Sequence, residues 1–226
     1  MMTEAILHLE LLSAATFGRG DGVAGLVDRE IEHDEDGFPF LRGRTLKGLL
    51  FEAAEDLVFA LREQGDESWE VVRNEVFGRP GSGVMGQGIL HVGDARIPDA
   101  LRALARNEYW RTDKKEFHPD EVIAACTGIR RQTAMNPDGG PAHGTLRSMR
   151  VVLRGMLLES ALLCAREPEG EEWALLTGAA LGLRSAGTGR NRGRGRLRAT
   201  LNSDEFMRRH FALLRGAGQE NQPRAH

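Results

Sequence analysis

Cysteine is nearly absent. Cys126 and Cys164 are the only two in 226 residues, too few and too far apart for a disulfide framework or a cysteine zinc site. Aromatic side chains are scarce as well, with one Tyr, three Trp and nine Phe, so the hydrophobic set is mainly aliphatic. No apolar run approaches the roughly 20 residues that a membrane span needs, which excludes an integral membrane segment and predicts no membrane partner. Met1-Met2-Thr3-Glu4 lacks a basic region leading into an apolar stretch and a cleavage site. No export signal is therefore expected, and a cytoplasmic location is the default. The seven His (8, 33, 91, 118, 143, 210 and 226) show no metal-ligand spacing, and serine-nucleophile motifs are missing.

Glycine, by contrast, is abundant, 28 residues against 8 Pro, well above the usual share of about 7%. The formal charge of −3 hides a strong asymmetry. Asp28 to Asp36 holds six acids and one Arg, whereas Arg184 to Arg198 holds six Arg and no acid. A basic end of that kind points to an anionic partner. The length suits one large domain, or a domain carrying a sizeable insertion.

Residues Ala5–Leu12 partly alternate and predict a first strand. A glycine loop, Phe17–Gly25, leads into the acidic run, which closes at Asp36-Gly37, a turn signal. Leu46, Leu49, Leu50, Ala53, Leu57, Val58 and Leu61 recur at helical spacing, with Thr45 as N-cap, and predict a helix over Leu46–Leu61. Gly88–Val92 reads as a strand behind a loop with Gly78, Gly81, Gly83 and Gly86. Short helices are expected at Pro98–Arg106 and Pro119–Ala125, and a turn at Asn136–Gly144. Val151–Ala165 reads as one long strand with Gly155 as a bulge. Glu171–Arg184 predicts a helix with Trp173, Leu176, Ala180 and Leu183 on one face, and Arg194–Leu201 a last strand. The expected architecture is α+β: a ferredoxin-like, RRM-like βαββαβ palm spanning 1–202, with an inserted helical region at about 96–148 and a thumb-like β-hairpin. A short C-terminal helix and polar tail complete the chain at 203–226. Such a sheet has helices on one face and leaves the other free to bind.

Four segments carry candidate chemistry. Gly43-Arg44-Thr45-Leu46-Lys47-Gly48 opens the predicted helix, where free N–H groups and two cations suit a phosphate. A plain cap with a solvated basic residue is the alternative, and the Gly-Lys-Ser/Thr setting of a Walker loop is missing. Gly187–Arg196 alternates Gly and Arg, a flexible backbone able to track phosphates. It joins a helix to a strand, the wrong order for a dinucleotide fingerprint, and a solvated turn is its alternative. Thr127–Arg154, with Arg130, Arg131, Arg147, Arg150 and Arg154, suggests a projecting basic hairpin that would wedge into a nucleic acid strand, pack on another subunit, or do neither. Within the acidic run Asp28 stands apart, because it ends the glycine loop behind Leu26-Val27. A carboxylate there suits a divalent cation, or acceptance of a proton from a ribose 2′-hydroxyl, although most acidic runs are solvated turns.

Taken together, the glycine loop with Val27-Asp28, Asp36-Gly37-Phe38-Pro39-Phe40 before Gly43–Gly48, Val76-Phe77-Gly78, Gly88–Val92 with Asp94-Ala95, and Gly189–Gly195 resemble the RAMP superfamily of CRISPR-associated proteins. The likeness runs from about Glu4 to Leu201 and is to the small backbone subunit of type III effector complexes. Arg42 stands where that family often has Pro. The resemblance implies a palm and thumb, with copies of the chain stacking along a CRISPR guide RNA beside other type III subunits. It also implies that Lys47 and the helix start meet guide phosphates. The late glycine loop would shape the RNA groove, and a thumb near Asn136–Gly144 would displace a nucleotide. Asp28 would then be the catalytic and metal-binding residue that cleaves target RNA with Mg2+ or Mn2+. The expected RNA contacts are Arg44, Thr45, Lys47, Arg130, Arg131, Arg190, Arg192 and Arg194. The alternatives are a non-catalytic RNA scaffold in the same complex, and a guide-processing endoribonuclease using His33, the one His near the acidic loop.

Overall fold

The computed structural model describes residues 2–23, 26–79, 86–111, 118–134, 136–140, 142 and 144–220, with the side chains of 108–111 and 215–220 set aside. Gly25, Gly81, Gly83, His143 and the polar tail at 221–226 lie outside the described residues. In chain order the elements are β1 (Thr3–Leu11), α1 (Gly43–Arg62), α2 (Trp69–Phe77), β2 (Leu90–Val92), α3 (Asp99–Arg111), α4 (Pro119–Cys126), β3 (Thr127–Gln132), β4 (Arg147–Val152), β5 (Leu157–Cys164), α5 (Gly170–Gly182), β6 (Leu197–Leu201) and α6 (Asp204–Glu220).

Alternation along β1 buries Ala5, Leu7, Leu9 and Leu11 and turns Ile6, His8 and Glu10 the other way. β1 pairs antiparallel with β5 on one side and β6 on the other, and β2 flanks β5, giving the order β2-β5-β1-β6. On the apolar face, α1 inserts Leu46, Leu50, Ala54 and Val58, spaced four residues apart so that they share one stripe. α5 is buried from Glu172 to Ala180 on all sides, not on the single face its spacing predicts. α6 covers the outer side of α5 with Met207 and Leu214, and Phe206 packs edge-on to Trp173 at 5.2 Å. With 17 residues, α6 is longer than the short helix expected there.

The opposite sheet face is open but does not resemble an RNA-stacking platform. Its side chains pair with one another, His8 with Glu159 at 3.1 Å and Glu10 with Arg198 at 3.6 Å. The four strands contribute no Phe, Tyr or Trp, and of their two imidazole rings His8 is paired with Glu159, whereas RNA-recognition modules stack bases on exposed aromatics at this position.

The expected long strand over Val151–Ala165 divides in two. β4 ends at Val152 and β5 starts at Leu157, in different sheets, with Gly155 in the connection at φ +86°. That left-handed backbone suits glycine and lets the chain reverse between the sheets. β3 and β4 form an antiparallel hairpin, from Thr127 opposite Val152 to Gln132 opposite Arg147. The insertion carrying this hairpin leaves and rejoins the palm at one place. The Gly93 amide donates to the Ala161 carbonyl at 2.8 Å, and Arg96 and Glu159 exchange backbone hydrogen bonds.

Candidate functional site

The acidic run is not a solvated turn. Of its even-numbered acids, Asp28 to Asp36, four of the five meet arginines. Glu30 accepts from Arg150 on β4 at 2.7 Å, with side-chain exposures of 5% and 13%. Glu32 is held by both arms of Arg42 at 2.7 and 3.0 Å. Asp34 meets Arg102 at 2.9 Å, and Asp36 meets Arg102 and Arg106, which ties α3 to the palm. Among the described residues Asp28 alone of the five is without an arginine in an ion pair, and it is exposed.

What holds Asp28 is the thumb hairpin. The Ser148 amide donates to Asp28 Oδ2 at 2.6 Å and the Ser148 hydroxyl to the same oxygen at 3.1 Å, while the Asp28 amide donates to the Ser148 carbonyl at 3.0 Å. These bonds to the charged form, with the nearby Arg147, hold the carboxyl below the usual carboxylate range. Asp28 is thus an anion at neutral pH with Oδ1 unengaged among the described residues. It resembles a cation ligand more than a general base. Among the described residues no group of three or more His, Cys, Asp or Glu could hold a metal ion. A divalent ion at Asp28 would therefore complete its shell with water and phosphate oxygens, as Mg2+ commonly does.

Asp28 lines a groove of about 710 Å³ whose other walls are the hairpin and the late Gly/Arg loop. Gln132, Arg147 and Met149 face Gly187, Thr188, Arg190, Arg192 and Arg194 across it. The loop lies close because Gly187 has no side chain: at φ +90°, a Cβ there would stand 2.6 Å from the Thr16 carbonyl oxygen. A second cleft of about 300 Å³ shares Gly187, Thr188 and Arg190 with the first and reaches Thr45.

The expected RNA contacts divide into distinct surroundings. Arg130 and Arg131 are exposed on β3, and Arg192 is exposed on the loop. None of the three forms an ion pair among the described residues. Arg190 does not match the expectation of an unquenched cation, because Glu52 on α1 takes both of its arms at 2.7 and 3.0 Å. Arg194 is only 8% exposed, and its guanidinium donates to the Gln132 side-chain oxygen and to the Met149 sulfur.

At the helix start the N-cap is Arg42, so Thr45 lies within the first turn and does not cap it. Asp94, from the loop after β2, supplies the missing acceptor: the Gly43 amide donates to its Oδ1 at 2.9 Å. Burial opposes the Asp94 charge, but the Gly43 amide and Arg96 outweigh it and its pKa falls below the ordinary value. Lys47 is half-buried and its Nζ donates to the Leu90 carbonyl at 2.7 Å, with burial pushing its pKa down. It faces a separate cavity of about 610 Å³ beside Gly78 and His91. Arg44 and Thr45 are exposed. His33 does not line the Asp28 groove; its ring nitrogen meets the Asp34 carbonyl at 3.0 Å.

Ser148 and Asp94 belong to these sites and were missing from the expected contacts, while Arg147, read only as part of the basic hairpin, lines the groove beside Asp28. Ser148 lies 120 residues from Asp28 in the chain, so no local pattern marks the pair. Asp94 carried a signal in the motif after the second strand, without any indication that it caps α1.

An antiparallel palm with helices on one face, a hairpin gripping an exposed carboxylate and an arginine-lined groove define an α+β palm-and-hairpin protein built to attract anions. The family model of the RAMP superfamily matches residues 8–198, and the chain belongs to that superfamily. Solved structures share its fold. A chain in the cryo-EM structure of the type III-B Cmr-beta bound to cognate target RNA aligns with a TM-score of 0.62 at 13% identity, covering 89% of this chain and 98% of that one. The apo state of type III-B Cmr-beta gives 0.61 at 14% identity, with the same coverages of 89% and 98%. No curated protein matches the sequence. No described helix is long and apolar enough to cross a membrane.

Proposed function

We propose that this chain is a backbone subunit of a type III CRISPR effector complex, which binds guide RNA along a filament of its own copies and cleaves complementary target RNA at Asp28. The observation that carries this reading is the groove itself. One ionised carboxylate, fixed by Ser148, shares a groove of about 710 Å³ with several arginines and a glycine-rich backbone. Superfamily membership and the RNA-bound Cmr-beta chain of the same fold support it.

Arg130, Arg131, Arg192 and Arg194 would hold phosphates along the groove, with Arg190 joining them on release from Glu52. Arg44 and Thr45 would extend the track toward Lys47. Mg2+ or Mn2+, held by Asp28 with phosphate and water oxygens, would supply charge neutralisation at the phosphate being cut. Ser148 would orient the Asp28 carboxylate by binding Oδ2 and leaving Oδ1 unengaged among the described residues. Chain stacking, partner subunits and a cytoplasmic setting belong to the same proposal.

The test is cleavage of complementary RNA by the assembled complex. Asp28→Ala, by removing the ligand for the ion that neutralises the phosphate, should reduce cutting by at least about 10²-fold with guide content unchanged. Cutting by the variant at the wild-type rate would refute the assignment. In the wild type any acid limb owed to Asp28 should lie below pH 3.8, the ordinary carboxyl value, because activity needs the anion and the anion is lost only below the depressed pKa. The scaffold reading draws on one observation, the absence of a second acidic ligand beside Asp28 among the described residues. It predicts that the wild-type complex holds target RNA uncut with either metal.

A further inference from the structure

The loop before Asp28 folds back along the acidic run, and its hydrogen bonds fall on both sides of Asp28. The Arg19 amide donates to the Glu30 carbonyl at 3.0 Å, and the Glu30 amide to the Asp21 carbonyl at 2.8 Å. Before Asp28, the Val23 amide donates to the Val27 carbonyl at 2.9 Å and the Val27 amide to the Val23 carbonyl at 3.0 Å. β4 lies along the other edge of the same run. There the Asp28 amide donates to the Ser148 carbonyl and the Arg150 amide to the Arg29 carbonyl, each at 3.0 Å. Asp28 therefore runs between two neighbouring backbones.

Gly22 is where the loop comes closest to Asp28. A Cβ at Gly22 would stand 2.5 Å from the Val27 carbonyl oxygen, 2.6 Å from the Asp28 carbonyl oxygen and 2.7 Å from the Asp28 carbonyl carbon. All three are backbone atoms, which cannot swing aside as the end of a flexible side chain would. Gly20, two residues earlier, is different: a Cβ there meets nothing within 4 Å, and its φ of +101° is what calls for glycine. Gly22 has no positive φ to accommodate. It is glycine because a bare backbone fits against the Asp28 peptide and a side chain does not.

A side chain at position 22 has to open the space between the loop and Asp28. The loop is not free to swing away, because Asp21 and Val23, on either side of Gly22, are both hydrogen-bonded to the run. The displacement is therefore shared by Asp28, whose amide and carboxylate bonds to Ser148 lie on the opposite edge. None of the described residues from 18 to 28 belongs to the main apolar core, so the palm is not drawn in.

We propose that Gly22 is a positioning residue for Asp28: its bare backbone seats the Asp28 peptide against β4 and so sets where the carboxylate stands. The inference rests on the reading of Asp28 as the cutting residue and adds a second support, on the edge opposite Ser148. Gly22 offers RNA no side chain and acts only through Asp28.

The experiment compares Gly22→Ala with wild type in the assembled complex, with cutting rates measured across target RNA concentrations. kcat should fall about 10–10²-fold, the effect of misplacing a reacting group by about 1 Å, while KM stays within about twofold. Hydrogen–deuterium exchange on the free full chain gives a readout independent of RNA. The Asp28 and Ser148 amides should exchange faster in the variant, while those of β1 and β5 keep their protection. Val23→Ala trims an exposed side chain of the same loop, keeps its backbone bonds and should leave kcat near that of wild type. Wild-type kcat in Gly22→Ala, unchanged exchange at Asp28 and Ser148, or an equal loss in Val23→Ala would overturn the proposal, while loss of cutting in Asp28→Ala would still uphold the role of Asp28. A rise in KM matching the fall in kcat, or faster exchange across the palm, would make Gly22 a residue of the fold alone and also overturn it. If the wild-type complex leaves target RNA uncut, the reading of Asp28 fails and this inference fails with it.

Discussion

Two basic regions of this chain look alike as sequence and differ as structure. At the helix start, the Gly43 amide is taken by Asp94 and the Lys47 ammonium by the Leu90 carbonyl. In the groove, among the described residues, Arg147 and Arg192 keep their charges free of ion pairs and Asp28 keeps a free oxygen. The first region has turned its donors inward, to fasten α1 to the end of β2. The second has left them outward, although its acidic neighbours Glu30 and Glu32 are each paired with an arginine. Residue type alone does not make a binding site; what counts is which charges the fold leaves uncompensated.

The sharpest test separates residues two apart in the same acidic run. Asp28→Ala should sharply reduce cutting, with a loss of stability confined to its exposed bonds to Ser148 and smaller than that of Glu30→Ala. Glu30→Ala should do the reverse first, losing about 3–5 kcal/mol in denaturant unfolding by stranding Arg150 in the hairpin. Equal stability losses in the two variants would erase the distinction. Next in size is Asp94→Ala, which uncaps α1 and should cost about 1 kcal/mol in chemical unfolding. Smallest is the contrast in salt dependence between regions. Arg192→Gln should reduce the log–log slope of RNA binding by about 0.7, and Lys47→Met by less, since Lys47 must first leave Leu90. A larger drop for Lys47 would reverse the ranking of the two regions.

Much of the palm was legible because periodicity is a local property. The spacing from Leu46 to Leu61 places α1 to within three residues at its start and one at its end, Gly43–Arg62. α2 went unread although Trp69, Val72 and Val76 lie at helical spacing, because nine residues between charged and glycine-rich stretches give a weak signal. The joint between β4 and β5 was hidden for a different reason. Apolar alternation continues through it, and only the positive φ of Gly155 marks the reversal. The all-round burial of α5 was also out of reach, because it depends on α6 covering its outer face. In the site, Asp28 stood out by its place after the glycine loop. Its difference from Glu30 did not, because that difference is made by Ser148 and Arg150, both 120 residues away.

The adjoining ends of the insertion have a consequence for how this chain tolerates change. Gly93 and Arg96 are hydrogen-bonded to Ala161 and Glu159, so the palm already holds closed the loop through which α3, α4 and the hairpin are threaded. Closing a longer loop at that clasp costs only about 0.6 kcal/mol for each doubling of its length. The segment between the clasp and the hairpin can therefore gain or lose residues while the palm register stays fixed, and the reach of the hairpin can be altered without redesigning the sheet that anchors it.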